Sequence, residues 1–311
     1  MTQVQKWDGK PISKAGAYSD IPMQDYHRNP NLCVRPSISS TGLKQILENP
    51  QKYWAFSPYN PDRIESPSNA AFDFGRAAHS VILEGRLPRR EYAVSPYADF
   101  RTKAAQEWKA KAERLGLTIL KADDLHTIAA MYQQIARHPI VEAGGLDGEV
   151  EVSLIWPDPV TGYFYKARPD VLPMGDMIIN YKTTSDASLR AVAQSVIKYR
   201  YDISEALAAM GMAATLKRQV TNVALLSQEK SPPYVVSCFE FADQYLAVGA
   251  QMVREAMDTF ARCMESGEWP SFSDDNSTII PPSFIVSRAF GNAKADLGVL
   301  DDVSAGGDDA A

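Results

Sequence analysis

Long apolar runs and paired cysteines are both missing from this sequence. No stretch approaches the ~18 apolar residues that a membrane-spanning helix requires, and the N-terminal residues lack the apolar core of a signal peptide. Cys33, Cys238 and Cys263 lie far apart and match neither a metal-binding spacing nor a disulfide framework. We therefore expect a globular protein with no membrane partner and with free thiols buried in a reducing cytoplasm.

The overall positive charge that is typical of nucleic-acid-binding proteins is also missing, because the formal net charge is −6. The charges are unevenly distributed, however. Residues 86–114 contain eight Arg and Lys against four Asp and Glu. This segment is equally compatible with a phosphate-binding surface and with a solvated helix face. We predict that the segment contacts DNA, through Arg101, Lys103 and Lys109.

Hydrophobic periodicity predicts alternating helices and strands in a chain long enough for one large domain or two small ones. Residues 1–20 show no clear period and are expected to form a flexible arm. Residues 21–288 make up the predicted folded domain. Residues 289–311 are acidic and rich in Gly and Ala, and we expect a disordered tail there.

The stretch from Gly162 to Thr184 predicts two short strands joined by a tight turn. Its first half is rich in aromatic residues that favour strands. Residues 173–176, with the sequence PMGD, are typical of a turn. An apolar run then leads into the second strand, so the whole stretch is a predicted hairpin.

Polar side chains of this hairpin are expected to converge. Because side chains alternate along a strand, Asn180 and Lys182 point to the same side. Asp170, at the end of the first strand, can face them across the hairpin. Lys166 and Arg168 share the face of Asp170 and are candidates to hold a phosphate backbone.

Two other segments carry polar residues with a regular spacing. Gly75 and His79 are four positions apart on a predicted helix and share one face. Glu149, Glu151 and Ser153 share one face of a predicted strand over residues 149–156. Alone, these patterns are typical of a core histidine and of a solvated strand face.

In their order along the chain, these motifs resemble the RecB-like branch of the PD-(D/E)xK nuclease superfamily, and in particular the phage exonuclease VIII (RecE) type of nuclease domain. The resemblance is carried by SISSTGLKQILENPQKYW from Ser37, GxxxH ending at His79, ExS starting at Glu151, and KARPD followed by NYKTT. It extends over most of the chain, from about residue 26 to 285. It implies an α/β fold in which a central mixed β-sheet is flanked by helices.

The resemblance also implies a site and a chemistry. Hard divalent ions held by oxygen ligands generate hydroxide and stabilise the leaving oxygen of a phosphodiester; Mg²⁺ is therefore the expected cofactor, with Mn²⁺ as the alternative. The implied metal-site residues are His79, Glu151, Asp170, Asn180 and the carbonyl of Tyr181. Of these, Glu151, Asp170 and Asn180 are also expected to be catalytic, together with Lys182, which would act on the attacking water.

The resembled nucleases imply further properties. They are 5′→3′ exonucleases of phage recombination that act on duplex DNA ends. They work as rings, so we expect a homo-oligomer, and they hand single strands to an annealing protein. The expected location is the cytoplasm of a bacterial host cell.

Two positions depart from the resembled pattern. Asn180 stands where the family has its second acid, and an amide brings no charge, so affinity for a hard dication should fall. Tyr201 to Ala206 matches the family's Tyr-x-x-Gln-x-Ala, but Ser204 replaces the glutamine. Tyr201 and Ser204 are the expected DNA contacts of this segment, and the sequence leaves open whether Glu205 compensates.

Three hypotheses of different classes follow. The first is a metal-dependent DNA exonuclease, and the second is a catalytically impaired relative that binds DNA ends or a recombination partner. The third is an unrelated α/β protein in which the hairpin is only structural. Metal titration separates them, because the first predicts a site near Asp170, the second a weak site and the third none.

Overall fold

In the computed structural model, which describes residues 4–65, 70–88 and 91–272, helices alternate with short strands. The strands are β1 (Gln5–Lys6), β2 (Gly16–Ser19), β3 (Ser37–Ser39), β4 (Tyr92–Val94), β5 (Thr118–Leu120), β6 (Gly148–Val150), β7 (Ser153–Pro157), β8 (Phe164–Ala167), β9 (Val171–Pro173), β10 (Met177–Thr184), β11 (Asn222–Glu229) and β12 (Val236–Glu240). The helices are α1 (Met23–Arg28), α2 (Ser40–Glu48), α3 (Pro50–Phe56), α4 (Ala70–Glu84), α5 (Lys103–Arg114), α6 (Ala122–Ile135), α7 (Pro139–Glu142), α8 (Leu189–Tyr199), α9 (Tyr201–Leu216) and α10 (Asp243–Ser266).

The largest sheet has the strand order β1-β2-β7-β8-β3 and is mixed. Strands β2, β7 and β8 are antiparallel neighbours, whereas β1 and β3 pair in parallel at the two edges. Its central strands are buried on both faces, as shown by Leu154, Ile155, Phe164 and Tyr165. Helices α2, α9 and α10 pack around the same core, whose members include Leu43, Leu207 and Phe260.

A second mixed sheet has the order β10-β11-β12. Strands β10 and β11 are parallel, so the chain must cross over between them, and α8 and α9 form that crossover. The alternation of side chains divides β10 between two cores. Ile178 packs in the core that contains α9 and α10, whereas Ile179 and Tyr181 pack against α4 and α6. The predicted class, a mixed sheet flanked by helices, is confirmed.

The predicted hairpin is wrong as a hydrogen-bonded ladder. Strand β8 pairs with β7 and β3, β9 pairs with β6, and β10 pairs with β11. The first predicted strand breaks at residues 168–170, between β8 and β9. Pro169 lies in this break and has no N–H to donate to a ladder. The carboxylate of Asp170 is thereby released from the sheet and can turn towards β10.

The predicted strand over residues 149–156 is also divided. Glu151 has φ +60°, a left-handed conformation that is uncommon for residues other than glycine. On one side of it, β6 pairs with β9, and on the other side β7 pairs with β2 and β8. The chain therefore passes from one sheet to another at Glu151, and the predicted alternation does not continue through it.

The expectation of a flexible arm over residues 1–20 is wrong for its described part. Strand β2 pairs antiparallel with β7, and Ala17 is 0% exposed. Strand β1 then pairs with β2, with Gln5 opposite Tyr18. The N-terminal segment is therefore an edge of the largest sheet, so the folded domain does not begin at residue 21.

The chain divides into two units, Met1–Pro270 and Ser271–Ala311. Only residues 271 and 272 of the second unit are described, so the predicted tail at residues 289–311 lies outside the described residues. Arg89 and Arg90 of the basic segment also lie outside them. Among the helices that the structure describes, none has the length and apolar character needed to cross a membrane. All three cysteines are free.

Candidate functional site

Asp170 and Lys182 meet at the edge of β10 that β11 does not cover. The Asp170 carboxylate accepts a hydrogen bond from the backbone N–H of Tyr181 (2.7 Å) and one from Lys182 Nζ (3.1 Å). Lys182 Nζ also donates to the carbonyl of Tyr181 (3.0 Å). The side chain of Lys182 is 37% exposed, so the pair is accessible from solvent. The structure thus brings together the carboxylate and the ammonium that the sequence predicted to converge.

Asn180 connects this pair to helix α9. Its Oδ1 accepts from the backbone N–H of Asp170 (3.0 Å), and its Nδ2 donates to the carboxylate of Glu205. Asn180 is buried and lies on the same face of β10 as Ile178, which is the face that packs against α9. The amide is therefore held at both ends, by Asp170 on one side and by Glu205 on the other.

His79 reaches Asp170 from helix α4. Its Nε2 lies 3.0 Å from Asp170 Oδ1, and its ring is 6.1 Å from that of Tyr181. Gly75, one helical turn earlier, also faces β10, and a Cβ atom there would make only an ordinary contact of 3.4 Å with Thr183 Oγ1. The predicted GxxxH motif thus packs a helix onto β10 and places its histidine on the carboxylate.

The charges at this edge stabilise one another. Burial by itself would raise the pKa of Asp170, but Lys182 and His79 outweigh it and hold that pKa well below its usual range. Burial would likewise lower the pKa of Lys182, but the carboxylates of Asp170 and Glu205 raise it above its ordinary value. The pair is therefore ionised at neutral pH, with a carboxylate and an ammonium side by side.

Lys44 and Glu205 are the two charged side chains near the site that the sequence did not assign to it. Lys44 Nζ donates to Ser204 Oγ (2.5 Å), and burial lowers the pKa of Lys44 to about 8 although Glu205 opposes this effect. Burial raises the pKa of Glu205 to about 7. The signal for Glu205 was a carboxylate within the apolar run of α9. Lys44 had no such signal, because one lysine on a short helix is ordinary.

Glu151 is placed differently from its predicted role. Its carboxylate accepts from Arg168 Nη1 (2.9 Å) rather than contacting Asp170. Arg168 also donates to Ser153 Oγ (2.9 Å) and to the carbonyl of Ile21 (3.0 Å). The ExS motif thus supplies two partners of a single arginine.

The predicted phosphate contacts of Lys166 and Arg168 are wrong, because neither side chain is accessible. Lys166 is 4% exposed, and its Nζ donates to the carbonyl of Tyr26 (2.5 Å). The side chain of Arg168 is 8% exposed, and its guanidinium lies 4.2 Å from the centroid of the Tyr26 ring. Lys166 is thus held at the contact between β8 and α1, and Arg168 is held by Glu151, Ser153, the Ile21 carbonyl and the Tyr26 ring.

The other predicted DNA contacts lie on two separate elements. Tyr201 and Ser204, on α9, are half-buried, and both contact Lys44. Arg101 and Lys103 are exposed at the start of α5, and Lys109 is half-exposed on the same helix. The α5 lysines form i,i+4 ion pairs with glutamates, as on an ordinary solvated helix face.

Within the part of the chain that the structure describes, no group of three or more His, Cys, Asp and Glu side chains is placed to hold a metal ion. The predicted ligands are therefore not gathered into one preformed cluster. The groups near Lys182 are nevertheless oxygen donors: the carboxylates of Asp170 and Glu205 and the carbonyl of Tyr181, with the Asn180 amide between Glu205 and the backbone of Asp170. Such a set fits a hard divalent cation such as Mg²⁺ or Mn²⁺ better than a soft one.

Comparisons with known proteins bear on the fold and the family. A family model described as a PDDEXK-like domain of unknown function (DUF3799) matches residues 39–279, in agreement with the superfamily predicted from the motifs. A putative exonuclease from Eubacterium rectale has 16% sequence identity and a TM-score of 0.54, covering 82% of this chain and 93% of that chain. At this identity the likeness shows the fold alone.

An alkaline exonuclease from Laribacter hongkongensis also matches, with 16% identity over 58% of this chain and 93% of that chain. Its TM-score is 0.24, which is too low to bear on the fold. None of the curated proteins compared with this chain matches it.

Proposed function

Because the chain belongs to the PDDEXK-like domain family DUF3799, we propose that it is a divalent-cation-dependent exonuclease that hydrolyses phosphodiester bonds at duplex DNA ends. The observation that carries the proposal is the pairing of Asp170 with Lys182 at 3.1 Å on the accessible edge of β10. The proposed chemistry requires a carboxylate to hold the metal ion and an ammonium group beside it to act on the water. Asp170 and Lys182 provide these two groups.

The residues divide the chemistry between them. A divalent cation such as Mg²⁺ or Mn²⁺, once bound, would make water a better nucleophile and would offset charge on the leaving oxygen. The carboxylate of Asp170 would hold this ion, and His79 positions that carboxylate through its contact with Asp170 Oδ1. Lys182 is charged and half-exposed, so it can orient the attacking water and offset the charge that develops on the phosphate.

The finer properties of the proposed enzyme follow the resemblance stated above. We propose digestion with 5′→3′ polarity, a ring-shaped homo-oligomer and transfer of the product strand to an annealing protein during phage recombination. Polarity is measured with duplexes protected at either the 5′ or the 3′ ends, and light scattering gives the oligomeric state. A 3′-protected duplex should be digested and a 5′-protected duplex should resist.

Asn180 favours a second candidate function, a catalytically impaired protein that binds DNA ends. Its side chain is neutral where the resembled family has an acid, and its Oδ1 already accepts from the backbone N–H of Asp170. On this alternative the scaffold keeps its affinity for DNA ends, but the cation is held too weakly for hydrolysis.

The experiment is degradation of end-labelled linear duplex DNA in Mg²⁺ or Mn²⁺. The chain should digest the DNA, and Lys182→Ala should lower the rate by about 10²–10³-fold because it removes charge stabilisation in the transition state. Lys14→Ala, at an exposed lysine of the N-terminal segment, is the matched control and should be fully active. Digestion by Asn180→Asp alone would support the impaired relative, and a chain that neither digests nor binds DNA would exclude both functions.

A further inference from the structure

We propose that Glu205 of α9 is the second acidic ligand of the cation, in place of the acid that the resembled family has at position 180. This inference rests on the proposed function, because it concerns the cation of the same site. It starts from the hydrogen bond that joins Asn180 Nδ2 to the Glu205 carboxylate. The carboxyl group missing from the strand is thus present one side chain away, on the helix that packs against it.

Among the described residues, Glu205 has no cationic side chain in direct contact with its carboxylate. Glu205 is 1% exposed. Among the residues that the structure describes, the Asn180 amide is the side chain that hydrogen-bonds it, and no ion pair involves it. Lys182 and Lys44 act on it only at longer range. A buried carboxylate with one neutral partner is unfavourable unless a cation accompanies it.

Asp202, on the same helix, provides the contrast. It is also buried, but Arg200 binds both of its oxygens, at 3.0 and 2.8 Å. That acid is satisfied within the protein and has a structural explanation. Glu205 lies one turn further along α9 and has no such arginine.

Packing does not require a carboxylate at position 205 either. Ile203, Ala206 and Leu207 around it are all buried in the core between the largest sheet and α10. A neutral side chain of the same length would fill this space equally well. The carboxylate therefore interacts with the polar groups beside the helix, Asn180 and Lys182.

The Asn180 amide thus links the backbone N–H of Asp170 to the Glu205 carboxylate, and the carboxylates of Asp170 and Glu205 both raise the pKa of Lys182. The site regains the two carboxylates of the resembled pattern, one from the strand break and one from the helix. A hard dication prefers charged oxygens to neutral ones, so Glu205 is the stronger ligand and Asn180 positions it.

The test is calorimetric titration of the full chain with Mn²⁺ alone, without DNA, together with the shift in melting temperature that Mn²⁺ causes. Glu205→Gln should weaken Mn²⁺ binding by about tenfold or more, because it removes a charged ligand. Asn180→Asp combined with Glu205→Gln should restore the affinity by returning the acid to the strand. Glu265→Gln, at an exposed glutamate of α10, should bind as the unaltered chain does.

Two further variants make the outcome decisive. Asp170→Asn should abolish binding in every background. If it does and Glu205→Gln binds Mn²⁺ with unchanged affinity, the role of Glu205 is excluded while the proposed function stands. If the unaltered chain binds no Mn²⁺, both are excluded. Glu205→Asp retains the charge but shortens the side chain, so an intermediate affinity supports the proposal even if Glu205→Gln fails to fold.

Discussion

Lys166 and Asp170 lie four residues apart in one motif, yet the structure gives them opposite environments. Lys166, at the β8 end, is covered by α1 and donates to a backbone carbonyl. Asp170, beyond the strand break, turns to the edge of β10 and meets a half-exposed lysine. Both were predicted to share a functional face, and only the second position lies beside a side chain that solvent reaches. The covering element, rather than the residue type, decides which charged group is available for chemistry.

The same contrast applies to the two cations that were predicted to act on phosphate or water. Arg168 has protein partners for its nitrogens and an aromatic ring beneath its guanidinium. Lys182 has a carboxylate and a carbonyl as partners and retains solvent access. We therefore expect Arg168 to stabilise the fold and Lys182 to support catalysis. Substitution of Arg168 should change stability, and substitution of Lys182 should change activity.

The largest expected effect on stability is that of Arg168→Ala. It leaves the buried Ser153 hydroxyl and the Ile21 carbonyl without their donor, at a cost of about 1–3 kcal/mol for each group left unsatisfied, whereas Glu151 is 41% exposed and adds little. Urea unfolding measures this loss. Arg168→Lys keeps the charge but not the forked geometry, so it should be intermediate. A stable Arg168→Ala variant with weakened DNA binding would restore the predicted phosphate contact.

The second prediction concerns the pH dependence that Lys166 causes. Burial lowers the pKa of Lys166 to about 8, so above that pH the folded chain binds fewer protons than the unfolded chain, in which lysine titrates near its ordinary value of 10.5. The free energy of unfolding should therefore rise between about pH 8 and 10.5, on the order of 3 kcal/mol in total.

Lys166→Met, which keeps an unbranched side chain without the ammonium, should lack this rise. The measurement is urea unfolding of both proteins at several pH values within that window. Taking the difference between the two proteins cancels the titration of the tyrosines. If the free energy of unfolding changes with pH in the same way in both proteins, burial does not lower the pKa of Lys166.

The smallest expected effect on stability is that of reversing Arg101, Lys103 and Lys109 to glutamate on α5. These side chains are largely exposed, but reversal of Lys103 and Lys109 turns two i,i+4 attractions into like-charge repulsions, so the free energy of unfolding should fall by roughly 1 kcal/mol. If α5 binds DNA, affinity should fall, and the salt dependence should flatten by about 0.9 in slope for each phosphate that the variant no longer neutralises. Lys121→Glu, at an exposed lysine outside α5, is the control. An unchanged slope would leave α5 as a solvated face.

Local sequence patterns were sufficient for the parts of the fold that depend on a few neighbouring residues. The GxxxH motif predicted a helix that presents Gly75 and His79 on one face, and α4 contains both residues. A proline favours the end of a preceding helix because it has no N–H to donate, and Pro50 is in such a position. It follows the end of α2 and also begins α3, where the side chain of Asn49 accepts from the backbone N–H of Lys52. These features need no knowledge of distant strands.

The pairing of strands depends on distant residues and could not be predicted in the same way. Glu149 to Trp156 has the alternation of one strand, but the chain changes sheets at Glu151. This residue has a positive φ, and because it is not a glycine the sequence does not indicate the change. The burial of Lys166 depends on Tyr26, which is 140 residues away in the sequence. The contact between Glu205 and Asn180 could be inferred only from the packing of α9 on the face of β10 that carries Asn180. Sequence motifs thus located the Asp170–Lys182 pair but not what surrounds it.

The position of β10 at the edge of its sheet has a further consequence for self-association. An uncovered strand edge is a template onto which another chain can add a strand. Here Asp170 occupies the outward backbone N–H of Tyr181, and Asn180 extends its amide to the neighbouring segment. The carboxylate assigned to the cation also blocks that edge against pairing with another molecule. A substitution chosen to silence the site at Asp170 would therefore expose a strand edge, and aggregation has to be measured beside activity in any such variant.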